Sequence, residues 1–270
     1  MKTGLLLLAL LLSSPKADAP PLTPGEKLHY KGYVFGWIPV GDVWFEVGRE
    51  TRGGAGLYRI DARAFGSYLV YTLDIRLTSL VDARTLKSVE LRRREVGTEK
   101  RDHRVVFDRE RREGTFYRKK GRFSSVALMD AAPWEKRAVF PITDEVNDIL
   151  YTLYFARGIG DAPGTSGNYW FVENRDVWKT LVTVVGEEKL HLGKLGDFDA
   201  LRIAIEPDYS EERETAANFS GLFGIQGRLR VMVDRKTRIP LLVSGDLPFV
   251  FFRPEVSVVL QEWSLPGTKR

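Results

Sequence analysis

Apolar and polar residues alternate along most of the chain with a period of two, which is typical of half-buried β-strands. The runs at 58–64 and 69–77 each place apolar side chains on one parity and charged or polar ones on the other. Earlier runs at 28–34 and 43–47 are separated by Gly36-Trp37-Ile38-Pro39, which is typical of a hairpin. The pattern predicts a mainly β protein in which antiparallel strands follow one another as a meander.

Charged residues dominate the next part of the chain, where apolar positions are sparse. Strands are predicted at 86–96, 101–108 and 115–119, and we expect them at a sheet edge, where charge discourages edge-to-edge association. Alternation then resumes, so the sheet continues in the second half. The later predicted strands are 169–172, 178–185, 201–205, 229–233 and 256–260.

One segment has helical instead of strand periodicity. Val146, Ile149 and Leu153 fall on one helical face, Thr143 can cap the start, and Gly158 can close the end. The spacing predicts an amphipathic helix over about 143–157. We expect its apolar stripe to lie on the sheet.

The first 19 residues have the three-part layout of a secretory signal peptide. Lys2 supplies a positive start, residues 5–12 form an apolar run, and Ala17-Asp18-Ala19 offers a cleavage pattern, although Pro20 follows it. The run is shorter than the ~20 residues that a membrane-spanning helix needs. We expect an exported, periplasmic protein with no transmembrane segment. Residues 20–270 would form a single β-rich domain, whose two halves could meet near 158–168.

The composition excludes some chemistry and suggests one surface. The chain has no cysteine, so it has no disulfide, thiol nucleophile or lipoprotein anchor. Residues 92–122 contain 13 Lys and Arg against 6 Asp and Glu, whereas the net charge of the whole chain is only +5. In an exported protein this stretch could meet anionic lipid headgroups, lipopolysaccharide phosphates or acidic glycans, and we expect no nucleic acid partner. It could equally be a solvated sheet face. The predicted contact residues are Arg92, Arg94, Lys119 and Lys120, and their replacement by Gln should leave stability nearly unchanged.

Five landmarks follow one another along the chain: Gly25 to Gly41, Asp82 to Leu86 with its Asp-x-x-Thr turn, Phe107-Asp108, Val146 to Arg157 and Gly227 to Val243. In this order they resemble a family of exported bacterial proteins that is found mainly in Gram-negative envelopes and catalogued as a domain of unknown function. The resemblance implies a strongly curved antiparallel sheet or incomplete β-barrel with the helix against its concave side, and it implies no established activity. The family helix often begins with Asp-Pro; this chain lacks that proline, so its helix start falls back on Thr143.

The residue types that catalysis needs are scattered. His29, His103 and His191 lie in separate predicted strands and lack zinc-binding spacing. No Gly-x-Ser-x-Gly motif occurs, and the glycines of 158–164 follow a helix instead of joining a strand to one. The pair Asp197 and Asp199 more simply shapes a turn. We therefore predict no catalytic residue, metal or cofactor, and rank a glycan-acting enzyme third.

Aromatic residues are the remaining candidates for a binding site. The predicted ligand-binding residues are Trp170, Trp178, Phe223, Phe249, Phe251 and Phe252. They could line a cavity for a lipid or other amphiphile, or they could simply fill the barrel. The leading hypothesis is a periplasmic binding or carrier protein for an amphiphile, and the alternative is an envelope scaffold or assembly factor that docks a protein or glycan. A carrier needs an apolar cavity of about 300 Å³ or more, and a scaffold does not.

Overall fold

A computed structural model describes residues 22–68, 71–207, 221–223, 225–246 and 254–269. The described part is mainly β, with 16 strands and two short α-helices. The first strands are β1 Lys27–Val34, β2 Ile38–Arg52, β3 Ala55–Tyr68, β4 Tyr71–Asp82, β5 Ser88–Val96, β6 Lys100–Asp108 and β7 Glu113–Lys119. Helix α1 Val126–Ala131, β8 Trp134–Pro141, β9 Val146–Asp148 and helix α2 Ile149–Arg157 follow. The second half contains β10 Ser166–Glu173, β11 Asp176–His191, β12 Asp197–Pro207, β13 Gln226–Asp234, β14 Pro240–Asp246, β15 Glu255–Leu265 and β16 Thr268–Lys269.

All 16 strands belong to one open sheet, which is built from two meanders. The first runs from β1 outward to β8, and the second runs from β9 inward to β15, which pairs with β1 at the centre. Every ladder is antiparallel except that between β9 and β10. The predicted antiparallel meander, implied to be an incomplete barrel, is therefore confirmed as one large sheet that does not close.

The inner face of the sheet carries the hydrophobic core and surrounds α2. Eight of the nine residues of α2 are buried, so the helix is enclosed on nearly all sides and does not merely lay an apolar stripe on the sheet. Inner-face residues of both meanders contribute to one core cluster. Tyr30 of β1 illustrates the link: its hydroxyl donates a 2.8 Å hydrogen bond to the carbonyl oxygen of Pro240 at the start of β14.

The start of the helix differs from the sequence-based expectation. The helix begins at Ile149, and the carboxylate of Asp148, not Thr143, caps it by accepting a 3.0 Å hydrogen bond from the amide of Tyr151. The residues just before it form β9, which pairs in parallel with β10. Pairing with a strand that lies later in the chain outweighed the local helical periodicity. The predicted end at Arg157, with Gly158 as C-cap, is confirmed.

Polar side chains hold β9 next to β4 and β5, where the sheet does not close by a ladder. Asp148 Oδ2 accepts hydrogen bonds from the hydroxyls of Ser79 and Ser88, both at 2.6 Å. Asn147 Oδ1 accepts the backbone N–H of Ser88 at 2.9 Å. These buried hydrogen bonds join β9, at one end of the sheet, to β4 and β5 of the first meander. Strands β6, β7 and β8 extend the sheet beyond this contact.

The same turn joins β4 to β5 and β13 to β14. In each turn an aspartate carboxylate accepts the backbone N–H of the threonine three residues later, at 2.7 Å for Asp82 and Thr85 and at 2.8 Å for Asp234 and Thr237. The threonine hydroxyl donates to the same oxygen. The Asp-x-x-Thr landmark therefore has a structural role in both meanders.

Two further properties concern the described residues only. None of the helices in these ranges is long and apolar enough to cross a membrane. Nor do these ranges contain a group of three or more His, Asp and Glu side chains that could hold a metal ion.

Candidate functional site

A row of side chains crosses the outer face of β1 to β5, on the side opposite to the core. Strand register places His29 beside Trp44, Trp44 beside Arg63, Arg63 beside Arg76, and Arg76 beside Arg94. Like charges directly opposite each other across strands are destabilising unless they are compensated. A row of three facing arginines therefore needs carboxylates close by.

These residues line a cavity of about 640 Å³, which we call the outer groove. Its volume falls within the roughly 300–1,000 Å³ that is usual for ligand pockets. The other charged residues of its lining are Lys27, Glu46, Arg59, Asp61, Arg92 and Glu262. Its lining therefore contains six Lys and Arg against three Asp and Glu.

Asp74 supplies the compensation for two of the facing arginines. Arg63 donates to it through Nε and Nη2 at 2.9 and 2.8 Å, and Arg76 does so at 3.2 and 3.1 Å. Burial alone would raise the pKa of Asp74, but the hydrogen bonds and charges of both arginines hold that pKa below its usual value. Both arginines donate to Asp74 through Nε and Nη2. Within the described residues, neither Nη1 atom has a hydrogen-bond partner.

The aromatic end of the row is also held in place. The rings of His29 and Trp44 are stacked, with centroids 5.3 Å apart and an interplanar angle of 7°. The Arg63 guanidinium lies 5.9 Å from the centroid of the Trp44 ring. His29 Nε2 is 3.0 Å from Asp42 Oδ1, and Lys31 donates to the other carboxylate oxygen at 3.0 Å. Trp44 nevertheless remains 38% exposed.

Arg92 and Arg94, two of the four predicted anion contacts, line the outer groove. Arg92 is bidentate to Asp102, which is fully buried, at 2.9 and 2.6 Å. The hydrogen bonds that Arg92 donates to Asp102, together with the charge of that carboxylate, raise the pKa of Arg92 despite burial. Arg94 binds Asp130 of α1.

The prediction that the charge-rich strands lie at a sheet edge is wrong. These strands are β5, β6 and β7, and all three lie inside the sheet, whereas β8 forms its edge.

The other two predicted anion contacts lie outside the groove lining. Lys119 is 9% exposed, and its Nζ donates to the carbonyl oxygens of Asp130 and Ala132. It also lies 5.0 Å from the centroid of the Trp134 ring. Lys120 is exposed. Arg92 and Lys119 are not the free surface charges that the Gln prediction assumes, because Arg92 pairs with a fully buried carboxylate and Lys119 is itself buried against two carbonyl oxygens. We therefore expect that their replacement by Gln lowers stability.

The predicted ligand-binding aromatics do not form one cluster. Trp178 is buried on the inner face beside Phe171, whereas Trp170 lies on the opposite face, 6.0 Å from the Lys179 ammonium. Phe223 is 9% exposed and meets Phe45 edge to face at 6.1 Å. Phe249, Phe251 and Phe252 lie outside the described residues. A role of these residues in binding stays a prediction.

Phe223 does line a second cavity, which we call the inner cavity. It measures about 120 Å³ and lies between the inner faces of the two meanders and α2, with a largely apolar lining that includes Tyr30, Phe45, Leu153 and Val258. It is smaller than the roughly 300 Å³ expected of a ligand pocket. Because it lies on the opposite face of the sheet from the outer groove, one small ligand cannot occupy both.

The family model described as "Protein of unknown function (DUF3108)" matches residues 27–249 of the chain. The chain belongs to the DUF3108 family. The resemblance to a family of unknown function is thereby confirmed, and the DUF3108 match includes all five strands whose outer faces carry the row of side chains. Searches of curated proteins and of solved structures gave no significant match.

Sequence reasoning missed most of the outer groove. The alternation at 58–64 and 69–77 predicts that Arg63 and Arg76 lie on the polar face of their strands, but only register shows that they are neighbours. The available signal was parity: charged residues at 59, 61 and 63 face charged or polar residues at 74, 76 and 78 in the adjacent strand of a meander.

Proposed function

We propose that this protein docks an acidic saccharide of the cell envelope in the outer groove, as an exported binding protein and not as a catalyst. The observation that supports the proposal is the groove of about 640 Å³ with its surplus of guanidinium and ammonium groups. Export and a periplasmic location are part of the proposal and are supported by the leader pattern in the first 19 residues.

The arrangement of the ion pairs decides which charge a ligand meets. Asp74 and Asp102 are 9% and 0% exposed, whereas their partners Arg63, Arg76 and Arg92 are between 38% and 51% exposed. These two carboxylates are buried beneath the guanidinium groups, so the surface around Arg63, Arg76 and Arg92 presents N–H donors. Of the exposed carboxylates of the lining, Glu46 and Asp61 pair with Lys27 and Arg59. Carboxylate or phosphate oxygens of a ligand suit planar guanidinium groups, which can donate two parallel hydrogen bonds.

A saccharide fits this surface better than a compact ion does. The lysine and arginine donors lie on four of the five neighbouring strands, so a compact anion could reach only a few of them, whereas an oligosaccharide could contact several along its length. Trp44 and His29 add apolar ring surface at one end of the row. The buried carboxylates also fix the arginine side chains, which reduces the conformational entropy lost on binding.

Replacing Arg76 by Gln should weaken binding of acidic oligosaccharides by about tenfold, because a hydrogen bond to a charged group contributes roughly 1.5–3 kcal/mol. Asp74 would keep both bonds from Arg63, so stability should change little. The measurement is calorimetric titration with phosphorylated core oligosaccharide of lipopolysaccharide, with its dephosphorylated form and with oligogalacturonate.

The matched control is Arg230→Gln, because Arg230 is 58% exposed, pairs with Glu255 and lies outside the groove lining. It should leave affinity unchanged, and binding by the wild type should weaken as salt rises. Failure of every acidic oligosaccharide to bind at low salt would rule out the proposal, as would equal loss in the Arg230 variant.

The inner cavity supports a second candidate, binding of an amphiphile through a short alkyl segment. Its lining is nearly all apolar and includes Phe223, one of the residues predicted to contact such a ligand. Protein extracted natively from its own envelope should then carry an apolar adduct that is visible in native mass spectrometry. An unmodified mass, with no lipid taken up from added vesicles, would eliminate this candidate and leave the outer groove unaffected.

A further inference from the structure

The end of the hairpin between β1 and β2 is an apolar projection, which we call the hairpin tip and define as residues 33–40. Its sequence, YVFGWIPV, contains no charged residue, in a chain in which 29% of residues are charged. None of its eight residues is buried. Phe35 and Trp37 are 56% and 73% exposed, and Trp37 is the most exposed large apolar residue among those described.

The backbone of the hairpin tip is unfavourable for the residue that it carries. Phe35 has a φ of 54°, in the left-handed region, and Gly36 follows with a φ of 76°. For a residue other than Gly, Asn or Asp this region costs roughly 1–2 kcal/mol. A hydrogen bond from Trp37 N–H to Val34 O at 3.4 Å closes the turn, and Phe35 N–H donates to Glu255 O of β15 at 3.2 Å. The chain thus presents a large, 56% exposed aromatic side chain at a backbone position that favours Gly, Asn or Asp.

We propose that the hairpin tip inserts into the interfacial region of a lipid bilayer. Trp and Tyr are enriched at that depth, where an aromatic ring can sit among headgroups and upper acyl chains. The exposed area favours a bilayer over a protein partner. Phe35 and Trp37 can bury about 150–250 Å² each, whereas a stable protein interface buries about 800 Å² per partner.

The charged residues around the hairpin tip indicate whether it would need anionic lipid headgroups. Lys31 and Asp42 flank the hairpin tip on its two strands and form a 3.0 Å ion pair. Glu255, whose carbonyl oxygen accepts the Phe35 N–H, pairs with Arg230, so these described neighbours carry no net charge. Binding therefore comes from apolar burial, requires no anionic lipid and is insensitive to salt. Gly32, Val40 and Gly41, at and beside the base of the hairpin tip, also line the inner cavity, so the tip places that cavity near the bilayer. The inference does not depend on the outer groove.

The first test is co-sedimentation of the full chain with phosphatidylcholine vesicles, with and without added phosphatidylglycerol, at low and at high salt. The double variant Phe35→Asn/Trp37→Ser should lose at least about tenfold in partitioning, because burial of each aromatic ring is lost. The fold should be retained, which thermal unfolding checks, because Asn tolerates the left-handed region. The control is Leu128→Ser/Val185→Ser, which removes two side chains that are 57% and 47% exposed elsewhere in the molecule.

The second test uses the absence of cysteine from the chain. A single Pro39→Cys substitution carries a polarity-sensitive fluorophore next to intact Phe35 and Trp37, and Leu128→Cys carries it on α1. Phosphatidylcholine vesicles should shift the emission of the first label to the blue and leave the second unchanged. The proposal is overturned if the label at 39 does not respond, if the control double variant loses as much binding, or if binding requires phosphatidylglycerol and disappears at high salt.

Discussion

Replacement of Arg157 by Met should lower the free energy of unfolding by about 3–5 kcal/mol, because it leaves a buried carboxylate without its partner. Glu26 and Arg157 are 0% and 2% exposed and form two 2.7 Å hydrogen bonds. Arg157 Nε also donates to the carbonyl oxygen of Arg238 at 2.7 Å. The pair therefore joins three distant parts of the chain: the segment before β1, the end of α2 and the turn before β14.

Thermal and urea unfolding can measure this loss, which corresponds to a fall in Tm of roughly 6–20 °C for a domain of this size. The double variant Glu26→Met/Arg157→Met should recover a substantial part of the loss, since no charge is then left buried. The matched control is the Lys27 and Glu46 pair, which is 63% and 56% exposed, and Lys27→Met should cost about 0–1 kcal/mol. Equal losses at the two pairs would show that burial of the Glu26 pair does not determine its importance.

Replacement of Asp148 by Ala should cost about 3 kcal/mol, because it removes a helix cap and leaves two buried serine hydroxyls without their acceptor. Asp148→Asn should cost less than about 1 kcal/mol. Its amide oxygen can still accept the Tyr151 N–H, and its NH₂ can donate to the hydroxyls of Ser79 and Ser88, which also accept.

Because Asp148 can be protonated or ionised, the stability of the protein should also depend on pH. Burial raises the pKa of Asp148, and the hydrogen bonds from Ser79 and Ser88 offset this only in part. The folded protein therefore holds the proton more tightly than the unfolded chain, whose pKa is about 3.9. The stabilising effect is fully present below that value and is lost as pH rises through the higher folded pKa. Urea unfolding should show Asp148→Asn gaining on the wild type as pH rises above about 4, and a constant difference would contradict the raised pKa.

The fold class could be predicted from the sequence because each strand of a meander shows its own alternation of apolar and polar residues and pairs with the next strand along the chain. Neighbouring strands such as β3 and β4 each show period two and are separated by short turns, so pairing with the next strand was the natural inference. The start of α2 could not be predicted in the same way. Residues 146–148 fit the helical spacing, but a parallel pairing with β10 and a serine in β5, 60 residues earlier, hold them as a strand.

The candidate site also depends on contacts between distant residues that the local sequence pattern does not show. A count of charges over residues 92–122 suggested a free basic surface, but Arg92 is paired with Asp102 of the same stretch and Arg94 with Asp130 of α1. Composition records the charges, and only register and burial show which are already compensated. Arg63 and Arg76 were not singled out, because they belong to a region with no local excess of charge.

The pairing of β1 with β15 has a consequence for biosynthesis. Each meander can form as the chain emerges, because its ladders join consecutive strands, but the ladder between β1 and β15 must wait until nearly the whole chain is available. β1, the first of the described strands, therefore keeps one edge unpaired until β15 has formed and is exposed to aggregation for that time. A premature stop before β15 would remove the middle of the sheet and not its margin, leaving two incomplete meanders in place of a slightly shortened protein.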